Sequence, residues 1–548
     1  MNWLDYSIVI FYIIFFLGMG FFFKENKDSK DYFLGGKSMG WFPLSLSTMA
    51  TQLSAISFIS APAFVGLKLG GGMKWLTFEF AVPLAMIFIM IVIIPPLFRS
   101  GVVSIYEFVE KRFSTSTRLI LSIVFQISRA LGTGVMVYTI AIILQAVLDI
   151  DFVYTILIIS VITIIYSWQG GMKAVVWGDA IQMIILFAGL IICLYFGWTL
   201  LQEHGGLTNG FDPERLKVID NNLGIGEGNE YGLLPMIIGG FFLYASYYGC
   251  DQTQAQRMLS AKDEKTIKQL LLANGLLRFP VVLIYCIMGL VIGGLITKAP
   301  GFLEEISMTT QKYFPEEFAT HGVKADLMIP VFIMKYLPHG LIGILMVGIL
   351  SAAMSSLSST VNSLSAVTVE DFFNRGKKKL SNKNYMMISK GSVVFWGVVC
   401  IASAFLFGGS KSAVIEIINA IGSVFYGPVL VTFFLAFFSK KVNHIGMNAA
   451  IISAVFINLV FSKTIQELFH IDLGFNIFWI WLNFTGVIIA LVVAYMVSAF
   501  TKSTKVKRIS NFNVSIKKED FMIKEVYILV SFFIFIVVLS YFLPAILG

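Results

Sequence analysis

The chain has 548 residues, of which 57% are hydrophobic and 13% charged, with a mean hydropathy of +0.83 and a net charge of +8. A soluble globular protein carries about 25% charged residues, so a water-soluble fold is excluded, and a single membrane domain over 1–548 is expected. The basic surplus is no sign of a nucleic-acid partner, because in a membrane protein the placement of charge counts for more than its sum.

The first apolar run, residues 7–23, follows an acidic start at Asp5 and lacks a basic leader. It reads as a retained helix and not as a cleaved signal peptide. A spanning helix needs about 20 mostly apolar residues, and about fourteen such runs follow one another along the chain. They begin near Ser7, Pro43, Trp75, Leu119, Phe152, Ala174, Leu234, Gln269, Leu327, Ser389, Ser412, Ile445, Phe475 and Glu525. An even number puts both termini on one side. The loops after the odd-numbered spans hold roughly 28 Lys and Arg and the alternate loops roughly 10, which makes the first set cytoplasmic and both termini outside. Lys377, Lys378, Lys379 and the segment 502–524 carry most of that bias. Arg129 and Arg278 fall inside spans.

The second span, residues 42–64, is crowded with Ser, Thr and Gln and holds Pro62. The seventh, residues 237–257, holds a Gly pair and then Asp251, Gln252 and Gln254. Each opens a possible five-helix set, and the charge rule makes the two sets enter from opposite faces. Weak spans at matching positions of inverted halves point to a midplane binding site in secondary transporters. For one such span alone, close packing in a helix bundle explains the polarity as well.

The ninth span carries SAAMSSLSSTVNSLS (residues 351–365). Na⁺ takes several oxygens, and preorganised neutral ones suffice. Hydroxyls of Ser355 and Ser356 with freed carbonyls of Ala50 and Leu53 would supply them. Ser358 and Ser359, a turn further on, would serve a second ion. The competing reading is that these serines bond carbonyls in their own helix. Cys193, Cys250, Cys286 and Cys400 lie in apolar runs without CxxC spacing, and the five histidines form no HExxH motif. A disulfide framework, a zinc site and a membrane enzyme are therefore not expected.

DYFLGGKS (31–38), YEFVEKRF (106–113), GGMKAVVWGDAIQ (170–182) and QRMLSAK (256–262) resemble the sodium:solute symporter family in order and spacing over about residues 5–465. The resemblance implies an all-α, LeuT-like 5+5 inverted repeat with a leading extra helix. The corresponding boundaries are 5–24 for the leading helix, 42–200 and 234–438 for the repeats, and 443–548 for three accessory helices. It assigns the main Na⁺ site to Ala50, Leu53, Ser355 and Ser356. The second is assigned to Asp179 with Ser358 and Ser359, unless Asp179 merely pairs with a lysine. Glu79, Arg278 and Asn419 match substrate positions, with Gln52, Ser54 and Ser57 beside them, while Phe78 and Tyr247 match outer and inner aromatic gates. SAP (60–62) resembles the monocarboxylate, iodide and sialic-acid branches. Arg129 lies about one turn before the arginine of sialic-acid carriers, so it is no positional match; either it pairs with Glu79 or it meets the substrate.

The expected function is Na⁺-coupled import by alternating access, in a multi-pass protein of the cell inner membrane. The favoured solute is a carboxylated sugar such as sialic acid, or a short monocarboxylate; a neutral sugar is the alternative. The expected partners are Na⁺, that solute and the bilayer, with no organic cofactor. A membrane sensor is the remote alternative, disfavoured because the chain closes at Gly548 directly after a span.

Overall fold

The computed structural model describes residues 1–22, 29–53, 55–206, 212–225, 230–375, 380–407, 414–469, 471, 473–501 and 521–547. Ser54, Lys377, Lys378, Lys379 and most of the basic segment 502–524 lie outside the described residues. The main helices are α1 (Trp3–Phe22), α2 (Trp41–Gln52), α3 (Ala55–Gly66), α4 (Met73–Ser100), α5 (Thr115–Leu148), α6 (Phe152–Glu203), α7 (Leu233–Cys250) and α8 (Gln252–Leu259). They continue as α9 (Glu264–Lys298), α10 (Leu341–Phe373), α11 (Asn382–Phe407), α12 (Val414–Phe438), α13 (His444–Phe461), α14 (Trp479–Phe500) and α15 (Lys524–Leu547).

Among the described residues eleven helices are long and apolar enough to cross a membrane, or twelve when α2 and α3 count as one bent span. Fourteen were expected, and the difference lies in two places. The leading helix α1 is 20 residues long, enough for about 30 Å, but only its stretch Trp3–Met19 enters the count, so it is not among the eleven. The expected fifth and sixth spans run together as α6, whose 52 residues are interrupted at Gly171 (φ 55°, ψ −153°). The chain turns back there. Tyr166 donates its hydroxyl to the Ala174 carbonyl at 2.7 Å, whereas eight residues of straight helix would separate them by about 12 Å. A Cβ at Gly171 would stand 2.6 Å from the Tyr32 carbonyl oxygen, so glycine is needed for both conformation and space.

The ninth span also starts later than expected. Met328–Tyr336 is a separate helix, and Pro338, His339 and Gly340 turn the chain before α10 begins at Leu341. Buried Asp5 of α1 accepts from the Gly340 and Gly343 amides at 2.7 and 3.0 Å. An acidic side chain thus caps the positive end of α10.

The two polar spans are broken. α2 and α3 meet at 53°, with Leu53 (φ −83°, ψ 77°) leaving the helix. α7 ends at Asp251 (φ −97°, ψ 129°), whose carboxylate accepts from the Thr253 amide at 2.8 Å and starts α8. An Asp N-cap makes this break legible in the sequence.

α3 packs on α9, and α7 on α4; α5, α10 and α11 pack on one another, and α6 lies along α10 and α2. The α3–α9 seam is unusually close: a Cβ on Gly66 would fall 2.3 Å from the Gly289 carbonyl oxygen. Small residues let two backbones approach where lipid gives helices no hydrophobic reason to associate.

Candidate transport cavity and ion sites

Between these sets lies a cavity of about 120 Å³. Gln52 and Ser57 reach it from α2 and α3, Phe78 and Glu79 from α4, Tyr247 from α7, and Ser356 and Asn419 from α10 and α12. α5 and α9 contribute Arg129 and Arg278. Every expected substrate and gate residue that is described thus lines one cavity, although the chain separates them widely.

Its charges are paired differently from the expected Arg129–Glu79 contact. Glu79 is fully buried and takes Arg278 in two bonds, Nε to Oε2 at 2.9 Å and Nη2 to Oε1 at 3.2 Å. Tyr244 also donates to Glu79, at 3.1 Å. Arg129 pairs with Asp251 at 2.6 Å, donates to the Tyr426 hydroxyl at 2.6 Å and stacks over Tyr247. Geometry decides it: Glu79 is already held by Arg278, and the Asp251 cap brings its second oxygen to α5. Arg278 keeps one nitrogen unused. Its Nη1 is buried without a partner, as is the hydroxyl of neighbouring Tyr285. Gln52 accepts from Tyr248, and the Asn419 amide donates to its own helix at Ile415 (2.7 Å).

The aromatic closures involve more residues than expected. Phe78 meets Trp75, Tyr244 and Trp479 at ring-centre distances of 5.9, 4.9 and 5.7 Å. Beyond them Tyr231 and Lys68 both bond Glu416. Trp479 belongs to α14, a helix placed outside the repeats, and nothing in the sequence marks it. Tyr247 packs on Tyr426 at 6.0 Å. Asp251 stood out as polar in its span, but Tyr426, the other group that holds Arg129, carries no sequence signal.

The serines of α10 divide between two places, because consecutive helical residues point about 100° apart. Ser356 lines the cavity, and its hydroxyl is buried without a partner. Ala50 and Leu53 are buried at the nearby break. Ser355 turns away and donates to Asp179 at 2.8 Å. Asp179, fully buried, also accepts from Ser47 (2.6 Å), Ser359 (3.0 Å) and Arg257 (2.8 Å). Two contacts bear on the expected second site. The partner of Asp179 is an arginine, not a lysine. Ser358 donates to the Ser355 carbonyl at 2.9 Å, bonding its own helix and not Asp179.

Comparison with solved structures defines the class. A Na⁺-coupled sialic acid symporter superposes with a TM-score of 0.75 at 21% identity, covering 92% of this chain and 99% of that one. The nucleobase-cation-symport-1 transporter MHP1 superposes with a TM-score of 0.51 at 12% identity, covering 90% and 98%. The fold is therefore that of the LeuT-like secondary transporters. The family model described as the sodium:solute symporter family matches residues 32–453. This chain belongs to that family, and it is a Na⁺-coupled solute symporter, not an enzyme. Relatives include sodium-coupled monocarboxylate transporter 2 of Bos taurus, 28% identical over 83% of this chain and 72% of its own. The same transporter in Danio rerio is 30% identical (79% and 67%), and the human sodium/iodide cotransporter is 28% identical (82% and 68%).

Proposed function

We propose that this symporter imports a small carboxylated solute, a short monocarboxylate in the first place. The observation that carries the reading is the unpartnered Nη1 of Arg278 beside the cavity. A guanidinium has five donors and forms two parallel bonds to a carboxylate. Glu79 lowers its desolvation cost without using every donor. Three of the larger polar groups are committed: Glu79 to Arg278 and Tyr244, Gln52 to Tyr248, the Asn419 amide to Ile415. That favours one anionic head with few hydroxyls over a polyhydroxylated sugar or sugar acid. The names of the monocarboxylate and iodide relatives agree with an anion.

In this reading the main Na⁺ site is formed by Ala50, Leu53 and Ser356, the last having a free buried hydroxyl. Asp179, Ser355 and Ser359, joined by Ser47, form the second. The repeats are 42–200 and 234–438, with the leading helix 5–24 and accessory helices 443–548 outside them. Both termini lie outside the cell inner membrane. Na⁺ stabilises the outward-open form, the solute completes the cavity, and rocking of one helix set against the other releases both inward.

The test is uptake into proteoliposomes of labelled short monocarboxylates, sugar acids and neutral sugars under an inward Na⁺ gradient. Short monocarboxylates should be favoured. Preferential uptake of a neutral sugar would overturn the substrate reading, and equal rates in choline buffer would overturn the sodium reading.

A further inference from the structure

Among the described residues Arg257 is the most confined cation, a large charged side chain only 1% exposed. It stands on α8, just past the break at Asp251. Its Nε donates to the Ser47 hydroxyl at 2.8 Å, its Nη2 to Asp179 at 2.8 Å and to the Ser359 hydroxyl, and its Nη1 to the Thr253 carbonyl. Those contacts occupy the oxygens assigned above to the second ion.

A carboxylate offers about four lone-pair positions. Three donors crowd Oδ2 of Asp179, those of Ser47, Ser359 and Arg257, while Ser355 alone takes Oδ1. A Na⁺ ion that takes Oδ2 has to displace one of its three donors. A serine hydroxyl rotates and presents a lone pair where it presented its proton. A guanidinium has no acceptor to present, and it repels a second cation on the same buried carboxylate. Of the four, only Arg257 is incompatible with the ion.

We propose that Arg257 is a tethered competitor for the second Na⁺ position, so that its guanidinium and the ion hold Asp179 in turn. This rests on the reading of Asp179 as a second Na⁺ site. Entry of the ion releases Arg257 and, with it, α8 from α2, α6 and α10, linking occupancy to the broken helix. After the ion leaves inward, Arg257 retakes Asp179, and the carrier returns with its carboxylate neutralised and closed to fresh Na⁺. Arg257 is thus a positioning residue that acts through Asp179.

The experiment measures the Na⁺ dependence of net uptake and of substrate exchange in proteoliposomes carrying Arg257→Gln. The apparent dissociation constant is the intrinsic one divided by the fraction of carriers competent to bind; removing a competitor raises that fraction, so half-saturating Na⁺ should fall about threefold or more. Exchange should persist while net uptake slows, since the empty return has lost its counter-ion. A merely structural role would not tighten Na⁺ binding. Where Arg257→Gln fails to fold, Arg257→Lys keeps the charge with a single point of contact, and half-saturating Na⁺ should fall less. An unchanged or raised Na⁺ requirement in whichever variant folds overturns the proposal. The neutral pair Asp179→Asn with Arg257→Gln tests the underlying site: it should lose Na⁺ cooperativity, and unchanged cooperativity would overturn the second site and the proposal together.

Discussion

Three side chains carry the transport reading at the scale of single residues. Arg278 retains a donor for an anion while Glu79 holds it in place. A hydrogen bond to a charged group contributes about 1.5–3 kcal/mol, so Arg278→Gln should weaken monocarboxylate affinity roughly ten- to a hundredfold. Glu79→Gln should leave that affinity unchanged or improve it, because the guanidinium then faces the solute with its full charge. Binding assays on both variants decide this, and the opposite ranking would favour a solute that donates hydroxyls to Glu79. Ser356 has a buried hydroxyl with nothing to bond; such an orphan costs free energy unless a ligand satisfies it. Ser356→Ala should raise half-saturating Na⁺ several-fold with little loss of stability, read from uptake curves and thermal unfolding in detergent.

At the scale of elements, breaks and close seams set the geometry. Asp179 and Arg257 tie α6 to α8, so removing one charge strands the other in the bundle. Breaking a buried pair costs about 3–5 kcal/mol. Asp179→Asn should therefore lower the unfolding temperature markedly, and the double change with Arg257→Gln should restore much of it. Equal stability of all three proteins would show the pair to be energetically idle. The α3–α9 seam leaves no space for a side chain at Gly289, where a Cβ would meet the Pro62 carbonyl oxygen at 2.6 Å. Gly289→Val should push α3 from α9 and distort the break at Leu53. Folded yield should fall, with Na⁺ affinity lost in whatever remains.

For the whole molecule, the two paired cavity charges and their partners leave the solute site near neutrality: Glu79 and Asp251 against Arg278 and Arg129. An anion entering alone would upset that balance, and co-transported Na⁺ restores it. Uptake should thus require an inward Na⁺ gradient. With two ions per monovalent anion it should also respond to an inside-negative potential, whereas a one-to-one cycle moves no net charge. Flux measurements with potassium and valinomycin separate these cases.

The amino-acid sequence by itself determined the membrane class, the family and the two broken spans. Long apolar runs have few alternatives in water, and polar residues inside them are costly enough to mark function. It also named about a third of the residues that line the cavity, among them both arginines and Glu79, and the hydroxyls of α10. Only the tertiary structure decided which charge meets which: Arg278 with Glu79, Arg129 with Asp251 and Arg257 with Asp179, across 199, 122 and 78 positions of chain. It also turned Ser355 from the cavity to Asp179 and brought Trp479 over Phe78. Helical periodicity tells which residues share a face, but the choice among buried partners depends on how distant helices are rotated and spaced, and that is settled by packing.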